Sequence, residues 1–266
     1  MEIAGKKFFI IGAARSGISC ALYLEKHGAS VILTDTKSYD DLYNEGYGIE
    51  KTRENRKITL ILGRQPYENE LDGVSLVVLS PGVPPDIHIC NYARSIGIEV
   101  VSEIEFANSF YKGSLVGITG TNGKTTTTYM TGALLKAVGL DSHVCGNIGF
   151  PFIDYVDSSD EDTVLALELS SFQLSMEKNL KPKVAIITNI TPDHLDRHKT
   201  MENYIAAKAN IFKNMSSNDL LILNYDDEIV RSLATKAACK IKYFSITDKN
   251  ADAYLDDDSI YVKIDG

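Results

Sequence analysis

Three features of the chain predict an α/β protein with two parallel sheets. Short apolar runs alternate with amphipathic stretches of helical period, the pattern that builds doubly wound sheets. The alternation restarts after Lys112-Gly113-Ser114, so two domains are expected, at 1–112 and 113–266. Each half opens with an apolar run leading into a glycine-rich turn, one beginning at Gly12 and one at Gly117. A chain of 266 residues also exceeds what one small core requires.

In the first half, Lys7 to Ile11 reads as a buried strand ended by Gly12, and a helix is predicted from Ser16 to His27, stopped by Gly28. A second strand is predicted from Ser30 to Thr34, ending at Asp35. The polar, weakly periodic stretch from Thr36 to Lys57 supports no assignment. Strands are predicted again at 59–62 and 76–80, the latter closed by the turn Ser80-Pro81-Gly82, with helices at 86–96 and 103–110.

In the second half, a strand at 115–119, a glycine loop and a helix at 125–137 come first. Further strands are predicted around 143–145, 164–168, 184–188 and 220–224, with a helix at 201–213. Ser259 to Asp265 alternates apolar and polar residues, as one arm of a hairpin with Ala253–Leu255. No closing helix follows, so the second domain is expected to be incomplete.

Composition narrows the function. Apolar residues make up 44% and charged residues 24%, as in ordinary soluble domains. A net charge of −9 argues against nucleic acid as a partner, so any polyphosphate must be held by local geometry and Mg2+. Cys20, Cys90, Cys145 and Cys239 are scattered, without a C-x-x-C pair, and read as reduced thiols of a cytoplasmic protein. No stretch approaches the roughly 20 apolar residues of a membrane span, and Arg15 interrupts the only run that imitates a signal peptide.

The second glycine turn carries the strongest chemical signal. In Gly117-Ile-Thr-Gly120-Thr121-Asn122-Gly123-Lys124-Thr125-Thr126, glycines let backbone N–H groups face phosphate oxygens at a helix N-terminus. Lys124 is placed to contact β and γ phosphates, and the Thr125 hydroxyl to ligate Mg2+. Ile118 stands where the strict phosphate-loop pattern requires glycine. A plain glycine turn is the competing reading.

The first turn, Gly12-Ala13-Ala14-Arg15-Ser16-Gly17, resembles a Rossmann-like G-x-G-x-x-G with Ala14 at the middle glycine. Asp35 stands where an acid would grip an adenosine ribose. A nicotinamide dinucleotide site, a nucleotide-diphosphate site and a purely structural turn all fit.

Glu168 ends an apolar strand, where α/β sheets gather ligands, and with Thr125 it could supply the few oxygens Mg2+ takes from protein. In Thr188-Asn189-Ile-Thr-Pro-Asp193-His194-Leu195-Asp196-Arg197-His198, Leu195 occupies the position of the zinc-protease glutamate, so zinc is disfavoured. His194 suits a place beside Mg2+ or a substrate, and His198 reads as a solvated bystander. Lys208 falls on the apolar face made by Tyr204, Ile205, Ile211, Phe212 and Met215. It either snorkels to solvent or lies near phosphate and metal. An ammonium would repel a unit charge about 4 Å away by about 4 kcal/mol at an effective dielectric of about 20, and a divalent ion about twice as much. A lysine carbamylated by CO2 would be attracted instead.

Taken together, the phosphate loop, Gly146-Asn147-Ile148-Gly149, Leu167-Glu-Leu-Ser-Ser-Phe-Gln-Leu174, Asn189 through Arg197, and Ala206-Ala207-Lys208 resemble, in order, the central domain of the Mur ligase family. The Leu-Glu-Leu-Ser-Ser-Phe-Gln stretch and Asp35-Thr36 are most similar to its D-glutamate-adding branch. The resemblance implies an ATP-dependent, amide-bond-forming reaction of peptidoglycan synthesis through an acyl phosphate. It implies UDP-N-acetylmuramoyl-L-alanine and D-glutamate as substrates, and a cytoplasmic monomer without nucleic-acid or membrane partners.

By position, the resemblance assigns Gly120 through Thr126 to ATP and Thr125 and Glu168 to one Mg2+. It assigns His194 and a carbamate on Lys208 to a second Mg2+, with Lys124, Glu168, His194 and Lys208 as the catalytic set. Gly12, Arg15, Ser16 and Gly17 are assigned to the UDP diphosphate, and Asp35 and Thr36 to uracil. Ser80, Pro81, Gly82 and Asn147 are assigned to the rest of the UDP-linked substrate. The family's third domain has no counterpart in the sequence, so this chain alone is expected to be inactive. A non-catalytic UDP-substrate binder is the alternative, and an NAD-dependent oxidoreductase a more distant one.

Overall fold

Phe150–Ser158 packs with residues far earlier in the chain, and this defines how the molecule divides. The computed structural model describes residues 1–264. One compact unit comprises Met1–Tyr111 and Phe150–Ser158; the other comprises Lys112–Gly149 and the residues from Ser159 onward. The expected ranges 1–112 and 113–266 do not anticipate this crossing. Its cause is apolar: Phe152, Ile153 and Val156 are buried, and the Phe152 ring meets Tyr111 edge-on at 5.2 Å.

The first unit contains β1 (Lys7–Ile11), α1 (Arg15–Lys26), β2 (Ser30–Asp35), α2 (Tyr39–Asn44), β3 (Ile58–Leu62), β4 (Val74–Leu79), α3 (His88–Ser95), β5 (Glu99–Ser102) and α4 (Glu103–Asn108). Its sheet is parallel throughout, in the order β3-β2-β1-β4-β5. The central strand β1 buries Phe8, Phe9 and Ile10 completely, which explains a continuous apolar run rather than an alternating one. The order reverses between β1 and β4, so a crevice forms outside their carboxyl ends, where Gly12 and Ser80 lie. Part of the unassigned stretch is helical: Ser38 and Asp41 form a reciprocal capping box that starts α2.

The second unit contains β6 (Ser114–Thr119), α5 (Lys124–Ala137), β7 (Ser142–Gly146), β8 (Val164–Glu168), α6 (Ser171–Leu174), β9 (Val184–Ile187), α7 (Leu195–His198), α8 (Met201–Ala209), β10 (Leu220–Asn224), α9 (Glu228–Ser232), β11 (Lys240–Ser245), β12 (Ala253–Asp256) and β13 (Ser259–Val262). The sheet order is β13-β12-β11-β10-β9-β6-β8-β7, parallel except for the β12–β13 hairpin. Asp265, the expected end of that hairpin arm, lies outside the described residues. The helix predicted at 201–213 stops at Ala209 and tightens into a 3-10 turn, Asn210–Phe212. As in the first unit, the glycine loop leaves the carboxyl end of the switch strand, here β6 between β8 and β9. No helix among the described residues is long and apolar enough to cross a membrane.

Candidate functional site

Two crevices follow from these topologies, one in each unit. In the first, the β1–α1 turn is drawn tight against the end of β4. Ser80 Oγ donates to the Gly12 carbonyl at 2.8 Å. Gly17 packs so closely on this turn that a Cβ would lie 1.8 Å from the Gly12 carbonyl oxygen. The Asp35 carboxylate, at the end of β2, accepts from the Ala13 N–H at 2.8 Å and the Lys37 N–H at 3.0 Å. The structure thus brings Gly12, Gly17, Asp35 and Ser80 together, with Asp35 shaping the loop through its backbone. Arg15, Thr36 and Gly82 are exposed, and Ser16 and Pro81 are half-buried.

In the second crevice, β6 runs to Thr119 and buries Ile118 completely, so the turn proper begins at Gly120. This explains why glycine is not needed at 118: that residue is still strand. A Cβ on Gly120 would lie 1.9 Å from Thr188 Oγ1, leaving no room for any other residue. Sequence reasoning did not single out what holds the loop. Asn189, just after β9, accepts from the Asn122 N–H and donates to the Asn122 carbonyl, each at 2.9 Å. Thr188 Oγ1 donates to the same carbonyl at 2.7 Å. The Tyr204 hydroxyl lies 3.1 Å from Thr121 Oγ1. An amide or hydroxyl directly after a strand opposite a glycine loop was the available signal.

Around this loop the expected side chains converge. Lys124 opens α5 and donates to the Thr121 carbonyl at 2.8 Å. Thr125 Oγ1 donates to Glu168 Oε2 at 2.9 Å, and Asn147 Nδ2 donates to Glu168 Oε1 at 2.9 Å. Asn147, which the family resemblance assigned to the UDP-linked substrate, thus steers the carboxylate that Thr125 meets. Glu168 is only 1% exposed, so a strand-terminal surface role does not describe it. Lys208 does not snorkel: it is 2% exposed, donates to the Gly120 carbonyl at 2.6 Å and lies 4.6 Å from the Tyr204 ring centre. Burial and then the nearby Lys124 charge pull its ammonium down to about 7, against a smaller opposing pull from Asp193.

His194 is exposed and connects to this cluster through Phe172, its ring centre 5.0 Å from that of Phe172. His198 is not a solvated bystander: its Nε2 is 2.9 Å from Ser171 Oγ and its ring stacks on Phe172. Burial foremost, then the neighbouring cations, lowers its pKa.

The donor set suits Mg2+. One hydroxyl and one carboxylate are hard oxygen ligands that leave other positions to phosphate and water. Among the described residues no group of three His, Cys, Asp or Glu side chains forms a ready-made metal cage.

A strand, a glycine loop, a lysine at the helix start and a carboxylate on the adjoining strand define an α/β protein with a phosphate-loop-like turn. Residues 118–265 match the Mur ligase middle domain and residues 6–102 the Mur ligase MurD-like N-terminal domain, and the chain belongs to the Mur ligase family. It is 45% identical over 267 residues to the UDP-N-acetylmuramoylalanine–D-glutamate ligase of Clostridioides difficile strain 630, and 43% identical over 269 residues to that of Caldicellulosiruptor bescii. Each alignment covers 100% of this chain, which spans 58% of the length of either relative. Among solved structures, the chain is similar to a UDP-N-acetylmuramate:L-alanyl-gamma-D-glutamyl-meso-diaminopimelate ligase from Neisseria meningitides. That TM-score is 0.66 at 17% identity, over 98% of this chain and 85% of the other. The UDP-N-acetylmuramate-alanine ligase of Thermotoga maritima gives 0.56 at 21% identity, over 94% and 54%. At these identities the structural likeness speaks for the fold.

Proposed function

We propose that the chain binds ATP and UDP-N-acetylmuramoyl-L-alanine for the ATP-dependent addition of D-glutamate in peptidoglycan synthesis. The observation that carries this reading is the convergence on one phosphate loop of the Thr125–Glu168–Asn147 hydrogen bonds and the buried Lys208. The names of the two curated relatives support the choice of substrates.

In such a reaction a substrate carboxylate oxygen attacks the γ-phosphorus and ADP leaves. The amine then attacks the acyl carbon, and inorganic phosphate leaves as the amide forms. Backbone N–H groups from Gly120 to Thr126 and the Lys124 ammonium hold the β and γ phosphates. Thr125 and Glu168 hold one Mg2+; His194 and a carbamate on Lys208 hold a second. Bound Mg2+ neutralises charge on the transferring phosphoryl group. Carbamylation requires an uncharged amine, and the lowered pKa of Lys208 provides one near neutral pH. In the first unit, Gly12, Arg15, Ser16 and Gly17 take the UDP diphosphate, Asp35 and Thr36 lie toward uracil, and the Ser80-Pro81-Gly82 turn takes the rest of the UDP-linked substrate. Asn147 orients Glu168 and reaches the peptidyl end of the UDP-linked substrate. The protein acts as a cytoplasmic monomer.

The test is calorimetric binding of UDP-N-acetylmuramoyl-L-alanine and of Mg-ADP, followed by phosphate release with ATP and D-glutamate. Release is assayed for the chain alone and fused to the remaining length of a curated relative. Release that depends on D-glutamate supports ligation. Binding without release from the fusion reduces the protein to a UDP-substrate binder, and stabilisation by NAD alone overturns both readings.

A further inference from the structure

The turn that carries His194 is bracketed by two non-glycine residues in the left-handed region, His194 at φ 52° and Lys199 at φ 71°. Side chains avoid this conformation unless their surroundings hold it. Here the holding surface is the Phe172 ring on α6. Arg197 places its guanidinium carbon 3.8 Å from the ring centre. His198 stacks on the ring at 5.1 Å with 2° between planes, and His194 tilts against it at 5.0 Å. His198 is fixed in turn by Ser171 Oγ at 2.9 Å from its Nε2, by Asn203 Nδ2 donating to its carbonyl at 2.9 Å, and by the Tyr204 ring at 5.2 Å. Tyr204 also meets Thr121 of the phosphate loop at 3.1 Å. Phe172 lies four residues beyond Glu168, on the helix that Ser170 caps directly after β8. One aromatic ring therefore ties the His194 turn to the strand end that bears Glu168.

We propose that Phe172 and His198 are positioning residues whose stacked rings hold the strained turn and present the His194 imidazole to a divalent cation beside the phosphate loop. The inference rests on the reading above of His194 as a ligand of the second cation. Groups that orient a metal-binding imidazole typically contribute about 10–100-fold to metal affinity, whereas a ring serving only as core filler would not distinguish one cation from another.

The probe is Mn2+, titrated by electron paramagnetic resonance into the whole chain saturated with a non-hydrolysable ATP analogue. His198→Phe keeps the stacked ring and is expected to retain the weaker Mn2+ within about threefold; His198→Ala and Phe172→Leu should weaken it about tenfold or more. Nucleotide affinity and the tighter Mn2+ stay unchanged. Should His198→Ala not fold, His198→Gln, which keeps a polar partner for Ser171 but no ring, carries the same expectation. If His194→Ala loses the weaker Mn2+ while His198→Ala and His198→Gln keep it, the positioning role alone is overturned. If His194→Ala leaves both cations in place, the ligand reading fails and the proposal with it.

Discussion

Glu103 Oε1 accepts a hydrogen bond from the Ile153 N–H at 2.9 Å, so a buried carboxyl at the start of α4 secures the segment Phe150–Ser158 within the first unit. Glu103 is 2% exposed. Burial foremost, with the Asp154 charge adding, pushes its pKa from an ordinary 4.5 up to about 7, although the Ile153 and Phe152 backbone N–H groups pull the other way. Cys20 on α1 faces the same carboxyl, and its thiol is raised by burial and then by the Glu103 charge.

Stability of the first unit should therefore fall as pH rises through this range. The folded protein keeps the Glu103 proton up to about 7, whereas an unfolded chain releases it near 4.5. The folded state binds more protons between these values, so this contribution is complete below 4.5 and lost by passing about 7. At about 1.36 kcal/mol per unit the difference is on the order of 3 kcal/mol. Glu103→Gln retains an acceptor for Ile153 and carries no charge. Urea unfolding at pH 5 and pH 8 should show the variant gaining on the parent chain at the higher pH. Equal pH dependence of the two would overturn the assignment.

A second expectation is steric. Gly17→Ala places a Cβ 1.8 Å from the Gly12 carbonyl oxygen, a backbone atom that cannot swing aside. The cost should be at least about 1–3 kcal/mol of stability, as for other overpacked sites, with loss of UDP binding. Gly82→Ala, where nothing lies within 4 Å, is the control and should stay within about 0.5 kcal/mol. Similar unfolding midpoints for the two variants would show that the turn is not closely packed.

Sheet strands such as β1 and β8 were legible because burial on both faces requires unbroken apolar runs, and the loop at Lys124 because phosphate binding demands a rare local pattern. The turn after β9 was not legible as a clamp, since Thr188 and Asn189 act through backbone atoms of a loop some 66–67 residues earlier. Strands β5 and β11 escaped for different reasons. Glu99–Ser102 is only four residues long, and Lys240–Ser245 alternates charge with apolar side chains in a half-buried position. Lys208 was legible only as a contradiction, a cation on an apolar stripe, and its partner Gly120 lies 88 residues away. The crossing of Phe150–Ser158 left no mark, because its buried residues pack against α1 and α4 rather than against their sequence neighbours.

The Glu168 carboxylate should matter to the metal and little to the fold. In Glu168→Gln, the amide can still pair with Thr125 and with Asn147 after a side-chain flip, so stability should change by about 1 kcal/mol or less. Loss of the charged oxygen should weaken Mg-ADP by about tenfold or more, equivalent to about 1.4 kcal/mol. Metal-free ADP should bind as before. Titrations with and without Mg2+ check this, and an unchanged Mg2+ dependence would remove Glu168 from the cation site.

Lys208 offers the most direct chemical test. Its ammonium titrates at about 7, so its uncharged fraction grows between pH 6 and 8 while exposed lysines remain protonated. Carbon dioxide adds to an uncharged amine, releasing a proton and leaving a carbamate anion. Supplied with 13C-bicarbonate, the chain should show a carbamate carbon resonance that rises across this range and is absent from Lys208→Met. The sign follows from the same shift: a lysine whose folded pKa lies below its unfolded 10.5 makes folding less favourable at low pH and more favourable as pH rises from about 7 toward 10.5. Lys208→Met, which keeps an unbranched stem without the charge, should therefore gain stability over the parent chain at pH 6 more than at pH 9. A carbamate signal that persists in Lys208→Met would assign it to another amine, and its absence from both chains at pH 8 would remove CO2 from the mechanism.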